Sequence, residues 1–205
     1  MTQAYRLRSL GTATLGEAAP DAALLNVRLA PLAPGMRVAG PARTVRCVPG
    51  DNLALHLAIS AASVGDVLVV DYGGSLASGP FGEIMALACQ MRGIAGMVID
   101  GAVRDTVQIA ALGFPVFARG IDIRGTIKHD RGEIDAPLEI GGAHITSGDM
   151  IVADADAVII LPATTVATAL AEGEARQAKE ALMMDRLRAG ETTLEILGLK
   201  TEDAL

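Results

Sequence analysis

The sequence predicts a single-domain α/β sandwich with a central β-α-β-α-β unit, and three observations carry that reading. Apolar runs without alternation, at 67–71, 96–100 and 114–118, have the character of strands buried on both faces of a parallel sheet. The intervening segments 81–92 and 105–112 show helical spacing and are followed by Gly93 and Gly113, where a helix stops. After Ile121 a β-rich second half replaces that pattern, and a C-terminal helix closes the chain.

Taken in order, residues 11–30 offer helix starts at Thr14 or Asp21, followed by Leu24, Leu25 and Val27. Val38 to Val48 alternates loosely, as a strand interrupted at Pro41 would. Pro49-Gly50-Asp51 then punctuates the chain, with Asp51 placed to cap a helix bearing Leu55, Ile59 and Ala62. Helix 81–92 carries Ile84, Ala88 and Met91 on one face, with Leu87 beside them. Right-handed crossovers put both central helices on one side of the sheet. In the second half the strand-like runs are Ile134 to Ile140, His144-Ile145, Met150 to Ala153 and Val158 to Leu161. From Thr164 to Arg188, Ala171, Ala175, Ala178 and Leu182 line one stripe, while Glu172, Arg176 and Glu180 form an i, i+4 ladder. Such a helix can pack on its own core or on a neighbouring subunit. Residues 1–205 are read as one domain.

The chain has 205 residues, enough for one sizeable core, and 51% are hydrophobic but only 2% aromatic. That core is therefore built from Ala, Val, Ile and Leu. With no Trp, two Tyr and three Phe, platforms for stacking single-stranded bases are lacking. A net charge of −7 argues against a phosphate-backbone partner. Cys47 and Cys89 show neither metal-ligand spacing nor a disulfide framework, and are expected as reduced core thiols of a cytoplasmic protein. Met1 to Leu10 lacks the apolar segment of a signal peptide, and no stretch approaches the ~18 apolar residues of a membrane span. The expectation is a soluble protein with no nucleic-acid or membrane partner.

Chemistry concentrates at two strand ends. The first carries Asp71-Tyr72-Gly73-Gly74-Ser75-Leu76-Ala77-Ser78-Gly79-Pro80-Phe81-Gly82-Glu83, and the second Asp100-Gly101-Ala102-Val103-Arg104-Asp105. Ligands of open α/β sheets bind at the carboxyl ends of strands. These loops therefore bring carboxylates, one guanidinium and backbone amides to one place. Arg104 offers a planar fork for a carboxylate, or a surface ion pair. Asp105 is an N-cap or a hard oxygen ligand for Mg²⁺ or Mn²⁺. Glu83 lies in the first turn of its helix, where its charge suits the dipole. The amides of Glu83, Ile84 and Met85 are first-turn donors open to an anion. Gly73, Gly74, Gly79 and Gly82 let the chain approach a ligand closely. The loop is neither a P-loop nor a dinucleotide fingerprint. His56, His129 and His144 lack metal-ligand spacing, and no serine nucleophile elbow is present. None of Lys128, Lys179 and Lys200 sits in an apolar strand as a Schiff-base lysine would.

Glu83, twenty intervening positions and then Arg104-Asp105 is a specific spacing. With Gly40 to Cys47, Gly65-Asp66-Val67 through Gly120, and Ser147-Gly148-Asp149 through Pro162, it resembles the RraA-like family over most of the chain. That family includes 4-hydroxy-4-methyl-2-oxoglutarate/4-carboxy-4-hydroxy-2-oxoadipate aldolases and the regulator of ribonuclease E activity. The regulator branch characteristically lacks the Asp of the Arg-Asp pair, so Asp105 favours the enzyme. The resemblance implies a swivelling-domain type of fold and a class II aldolase that releases pyruvate. In such an enzyme Arg104 binds the pyruvyl carboxylate and steadies the enolate, and Asp105 is the direct metal ligand. Gly82, Glu83, Ile84 and Met85 hold the substrate, and Glu83 binds metal waters or assists proton transfer. It also implies a homotrimer or homohexamer whose site lies between subunits, with Glu180 of the neighbour near the metal through water. Asp is common in the family where this chain has Glu83. Oxaloacetate decarboxylation is an implied side activity, and a non-catalytic regulator acting by protein–protein binding is the alternative.

Overall fold

The chain, described over residues 2–199 in a computed structural model, opens on helix α1 (Gln3–Ala18). Met1 and Lys200 lie outside the described residues. The helix starts earlier than the positions read at Thr14 and Asp21. Thr2 caps it by accepting from the Tyr5 amide at 3.3 Å, and Gly11, at φ 80°, breaks it into two segments. Residues 21–31 are not helical. They form β1 (Ala23–Leu24) and β2 (Ala30–Pro31), two short strands on opposite edges of the main sheet, with Leu25 and Leu29 buried between them. Pairing with distant strands decides this segment, and the apolar spacing that suggested a helix reports only burial.

β3 (Val38–Arg46) runs through Pro41 without a break, because it changes partner there. Residues 38–41 pair antiparallel with a late strand, and residues 42–46 pair parallel with the next one, so the missing Pro N–H interrupts neither ladder. Helix α2 (Leu53–Ala61) follows and buries Leu55, Ile59 and, just past its end, Ala62, as expected. The centre is then β4 (Val67–Asp71), α3 (Glu83–Met91), β5 (Gly96–Val103), α4 (Thr106–Leu112) and β6 (Val116–Ile121). Gly93 and Gly113 end the helices at φ 73° and 69°. α3 begins later than read, because Gly82 is extended, and α4 begins at Thr106. β5 is longer than read and carries an irregularity against β6 between Ile99 and Ala102.

The second half holds β7 (Glu133–Ile134), β8 (Leu138–Ile140), β9 (Ala143–Ile145), β10 (Met150–Ala153) and β11 (Val158–Leu161). The expected run 134–140 is two strands, because Asp135 at φ 62° and Pro137 interrupt pairing. The main sheet runs β1-β11-β10-β3-β4-β5-β6-β2 with β7 added to β3, and β8-β9 form a separate pair. Leu68 and Val70 of β4 join Leu55, Ala86 and Ile109 in one cluster, so α2, α3 and α4 share one face. Val67 and Val69 face the other side with Leu138 and Ile145.

Helix α5 (Val166–Arg188) and the short α6 (Thr193–Leu197) end the described chain. α5 buries Val166, Ala169, Leu170 and Gly173 against α1, and Arg6 grips Glu174 with two hydrogen bonds of 2.7 Å. The stripe expected on it, Ala171, Ala175, Ala178 and Leu182, faces solvent in the single chain. The α3 stripe behaves alike. Met85, Ala86 and Cys89 make the core, whereas Ile84 is 83% exposed and Met91 76%. No helix among the described residues is long and apolar enough to cross a membrane.

Candidate active site

Parallel pairing of β4 and β5, with Asp71 beside Asp100, places the two loops side by side at the same end of the sheet. The glycine-rich loop is tied down along its length. The Tyr72 hydroxyl accepts from the Gly50 amide at 2.6 Å and lies 2.7 Å from the Ser78 hydroxyl. The Gly74 amide donates to the Asp100 carbonyl and the Ala102 amide to the Ser75 carbonyl, each at 3.0 Å. At its far end the Arg104 amide donates to the Phe81 carbonyl at 2.9 Å. Asn52 donates through Nδ2 to the Pro80 carbonyl at 2.8 Å. So many anchors hold the loop in one conformation.

Asp105 holds the left-handed conformation, φ 55° and ψ 40°, one of two non-glycine residues with positive φ among the described residues. It precedes α4 but does not cap it. Its Oδ2 accepts from the Glu83 amide of α3 at 3.0 Å and lies 3.9 Å from Arg104 Nε. Gly82 sits against both groups. A Cβ there would meet Asp105 Oδ2 at 2.3 Å and Arg104 Nε at 3.1 Å. Arg104 and Asp105 side chains are 40% and 42% exposed, so the pair is reachable from solvent. Arg104 Nε is itself buried and has no hydrogen-bond partner among the described residues. The Glu83 amide is thus taken by Asp105, which leaves Ile84 and Met85 as the first-turn amides with no intrahelical acceptor.

Glu83, Arg104, Asp105 and Gly82, together with the first turn at Ile84 and Met85, therefore meet in one place. Glu180 does not join them within the chain, for its carboxylate pairs with Arg176 at 2.8 Å. Among the described residues no three His, Cys, Asp or Glu side chains converge to cage a metal. The donor set suits a hard cation that keeps most of its water, since one Asp105 oxygen is anchored and Oδ1 is left for the ion. Both thiols are buried, and burial pushes Cys47 and Cys89 up to about 12, so neither is a nucleophile at neutral pH. His144 pairs with Glu139 at 2.7 Å on the small hairpin.

Sequence reasoning missed the segment after β6. The Gly79 amide donates to the Arg124 carbonyl at 2.9 Å, and the Asp122 carbonyl would lie 2.2 Å from a Cβ on Gly79. Arg124 is clamped on Asp122 at 2.6 Å and holds that carboxyl below the usual carboxylate range. A usable signal existed, since these residues follow β6, the last parallel strand, at the same end of the sheet. Asn52 was missed as well, being indistinguishable from an ordinary helix cap in the sequence.

Residues 12–160 match the RraA-like family, described as Aldolase/RraA. The chain belongs to the RraA-like family. A Halalkalibacterium halodurans protein named "Putative 4-hydroxy-4-methyl-2-oxoglutarate aldolase" is 37% identical over 175 residues, 85% of this chain and 83% of that one. The structure of the RNA-processing inhibitor RraA from Thermus thermophilis is similar at 32% identity and a TM-score of 0.69, covering 74% of this chain and 92% of that one. An uncharacterized protein from Pseudomonas syringae pv. tomato superposes with a TM-score of 0.80 at 27% identity, covering 93% of this chain and 94% of that one. The mixed sheet with its C-terminal helix is thus the RraA fold.

Proposed function

We propose that this RraA-like chain is a divalent-metal-dependent class II aldolase. It cleaves a 4-hydroxy-2-oxo acid, of the 4-hydroxy-4-methyl-2-oxoglutarate or 4-carboxy-4-hydroxy-2-oxoadipate type, to pyruvate and a second keto acid. The observation that carries the reading is the meeting of Arg104, Asp105 and the α3 N-terminus over Gly82. The name of the H. halodurans relative supports it.

In this reading the substrate lies against the first turn of α3, at the Ile84 and Met85 amides, with its pyruvyl carboxylate on Arg104. Arg104 holds fixed positive charge beside the pyruvyl oxygens, where negative charge grows as the C3–C4 bond breaks. Asp105 would hold Mg²⁺ or Mn²⁺ directly, and Glu83 of the same chain, with Glu180 of a neighbouring subunit, would hold it through water. The bound cation supplies a Lewis acid for the same developing charge. Glu83, exposed to solvent, assists removal of the C4 hydroxyl proton. The O–H electron pair becomes the C=O bond of the second product as C3–C4 breaks, and a proton returned to C3 of the enolate gives pyruvate. Oxaloacetate decarboxylation leaves the same enolate and follows as a side activity. The chain acts as one domain in a homotrimer or homohexamer, in which exposed Ile84, Met91 and Leu182 gain partners.

Purified protein with Mg²⁺ or Mn²⁺ is expected to release pyruvate from 4-hydroxy-4-methyl-2-oxoglutarate, and EDTA to stop the release. Arg104→Ala should remove activity at an unchanged folded fraction, and full turnover in that variant overturns the assignment. A second reading, a non-catalytic regulator of a ribonuclease, draws on the Thermus relative described as an RNA-processing inhibitor. It calls for a stable ribonuclease complex without lyase activity on any 4-hydroxy-2-oxo acid.

A further inference from the structure

Asn52 stands at the N-cap position of α2, yet its side chain does not cap the helix. That task falls to Asp51, whose Oδ1 accepts from the Leu53 amide at 2.8 Å. The Asn52 amide group reaches instead to the end of the glycine-rich loop. Nδ2 donates to the Pro80 carbonyl at 2.8 Å and lies 3.6 Å from Met85 Sδ. Both neighbours are acceptors, which fixes the amide orientation and turns Oδ1 away from them. Asn52 is only 4% exposed, and its Oδ1 has no hydrogen-bond partner among the described residues. A side chain needed only to fill this space would be apolar, since a buried acceptor without a donor is costly.

The grip lands where it matters for the site. Pro80 has no N–H, so its carbonyl is its only backbone handle. The next carbonyl, of Phe81, accepts from the Arg104 amide at 2.9 Å, and the residue after that is Gly82. Consecutive carbonyls are thus held from the α2 side by Asn52 and from the β5 side by Arg104. Asn52 is itself fixed, because its amide donates to the Ile127 carbonyl at 3.1 Å. Beside it, Asp51 Oδ2 accepts from the His129 and Asp130 amides at 2.7 and 3.0 Å.

We propose that Asn52 is a positioning residue for this site: by holding the Pro80 carbonyl it sets where Gly82 and the first turn of α3 meet Arg104 and Asp105. This rests on the aldolase reading given above. Misplacement of reacting groups by about 1 Å costs of the order of a hundredfold in rate, which sets the expected scale.

The test uses Asn52→Asp, which keeps the shape and loses the donor, and Asn52→Leu, which loses both polar atoms. Each is compared with wild type at equal folded fraction for kcat and KM in pyruvate release. Calorimetry then measures the affinity for oxalate, a planar mimic of the pyruvate enolate, in the presence of Mn²⁺. Both variants should lose about ten- to a hundredfold in kcat and in oxalate affinity, with direct Mn²⁺ affinity within about twofold of wild type. A merely structural role would lower Tm and leave kcat per folded site and oxalate affinity unmoved, which overturns the proposal. Should Asn52→Leu fail to fold, Asn52→Asp alone decides. A wild type that neither releases pyruvate nor binds oxalate overturns the aldolase reading instead, and this inference with it.

Discussion

The Asp105 carboxylate receives the Glu83 amide at 3.0 Å, so the residue that precedes α4 caps α3. One oxygen is consumed by the scaffold and the other is aimed by it. Asp105→Ala should therefore do two separable things. Loss of the cap lowers stability by about 0.5–2 kcal/mol, and loss of the cation's ligand lowers kcat about a hundred- to a thousandfold. Asp105→Asn retains an oxygen for the Glu83 amide and should keep the stability while losing Mn²⁺ binding. Thermal melts and Mn²⁺ titration of the two variants separate the effects. Equal Mn²⁺ affinity in wild type and Asp105→Asn would remove Asp105 from the cation's coordination.

Gly82 is required for space, since its φ of −143° is one that any residue adopts. A methyl group there would sit 2.3 Å from Asp105 Oδ2 and 3.1 Å from Arg104 Nε. Gly82→Ala must push Asp105 away from the Glu83 amide, so oxalate binding and pyruvate release should both fall at least about tenfold. Gly113→Ala strains a positive φ, 69°, with nothing within 4 Å of the added carbon. It should cost stability and leave oxalate affinity intact. Equal oxalate affinity in wild type and Gly82→Ala would show that the contact is not part of the site.

Much of this was legible in the sequence for physical reasons. Val67–Val70 and Met97–Ile99 are apolar throughout because both faces of the sheet are covered, and Gly93 and Gly113 mark helix ends because only glycine takes positive φ cheaply. Periodicity finds an apolar stripe but not its partner. On α3 and α5 the stripes read from spacing, at Ile84 and Leu182, face outward in the single chain, while Met85 and Leu170 pack inside. In the site, Glu83 and Arg104-Asp105 could be singled out because their spacing resembles that of the RraA-like family. The capping of α3 by Asp105, the Asn52 grip on Pro80 and the packing of Asp122 and Arg124 on Gly79 depend on contacts between distant segments, which no local pattern encodes.

Acid sensitivity should trace to Asp154, which joins α1 to the β10–β11 turn. Its Oδ2 accepts from the Thr12 amide at 2.8 Å, just past the Gly11 break, and its Oδ1 accepts from the Thr12 hydroxyl and from the Asp156 amide at 3.0 Å. Burial raises this carboxyl, but those hydrogen bonds outweigh it and hold the group below its ordinary value. A carboxylate depressed on folding contributes stability above the unfolded value, about 3.9, and loses it as pH falls through the lower folded value. The Tm gap between wild type and Asp154→Asn should be full at pH 5 and above and should shrink progressively as pH falls below the unfolded value of about 3.9. A gap that stays constant across this range would remove Asp154 as the source.

Glu180 pairs with Arg176 of its own helix at 2.8 Å, while Arg176 also contacts Glu17 of α1. If Glu180 serves only that surface pair, Glu180→Gln should be nearly silent, because exposed pairs contribute about 0–1 kcal/mol. If it completes the site of a neighbouring subunit, Glu180→Gln should lower kcat strongly with little change in Tm. Subunit exchange then gives the decisive measurement. Asp105→Ala and Glu180→Gln chains, each inactive alone, are unfolded together, refolded at equal ratio and assayed. Random cyclic assembly pairs an intact Asp105 with a neighbour's intact Glu180 in about one site in four, so about a quarter of the wild-type activity should return. Activity no higher than in the separate variants would place Asp105 and Glu180 in the same subunit's site, and full turnover by Glu180→Gln alone would place Glu180 in no site at all.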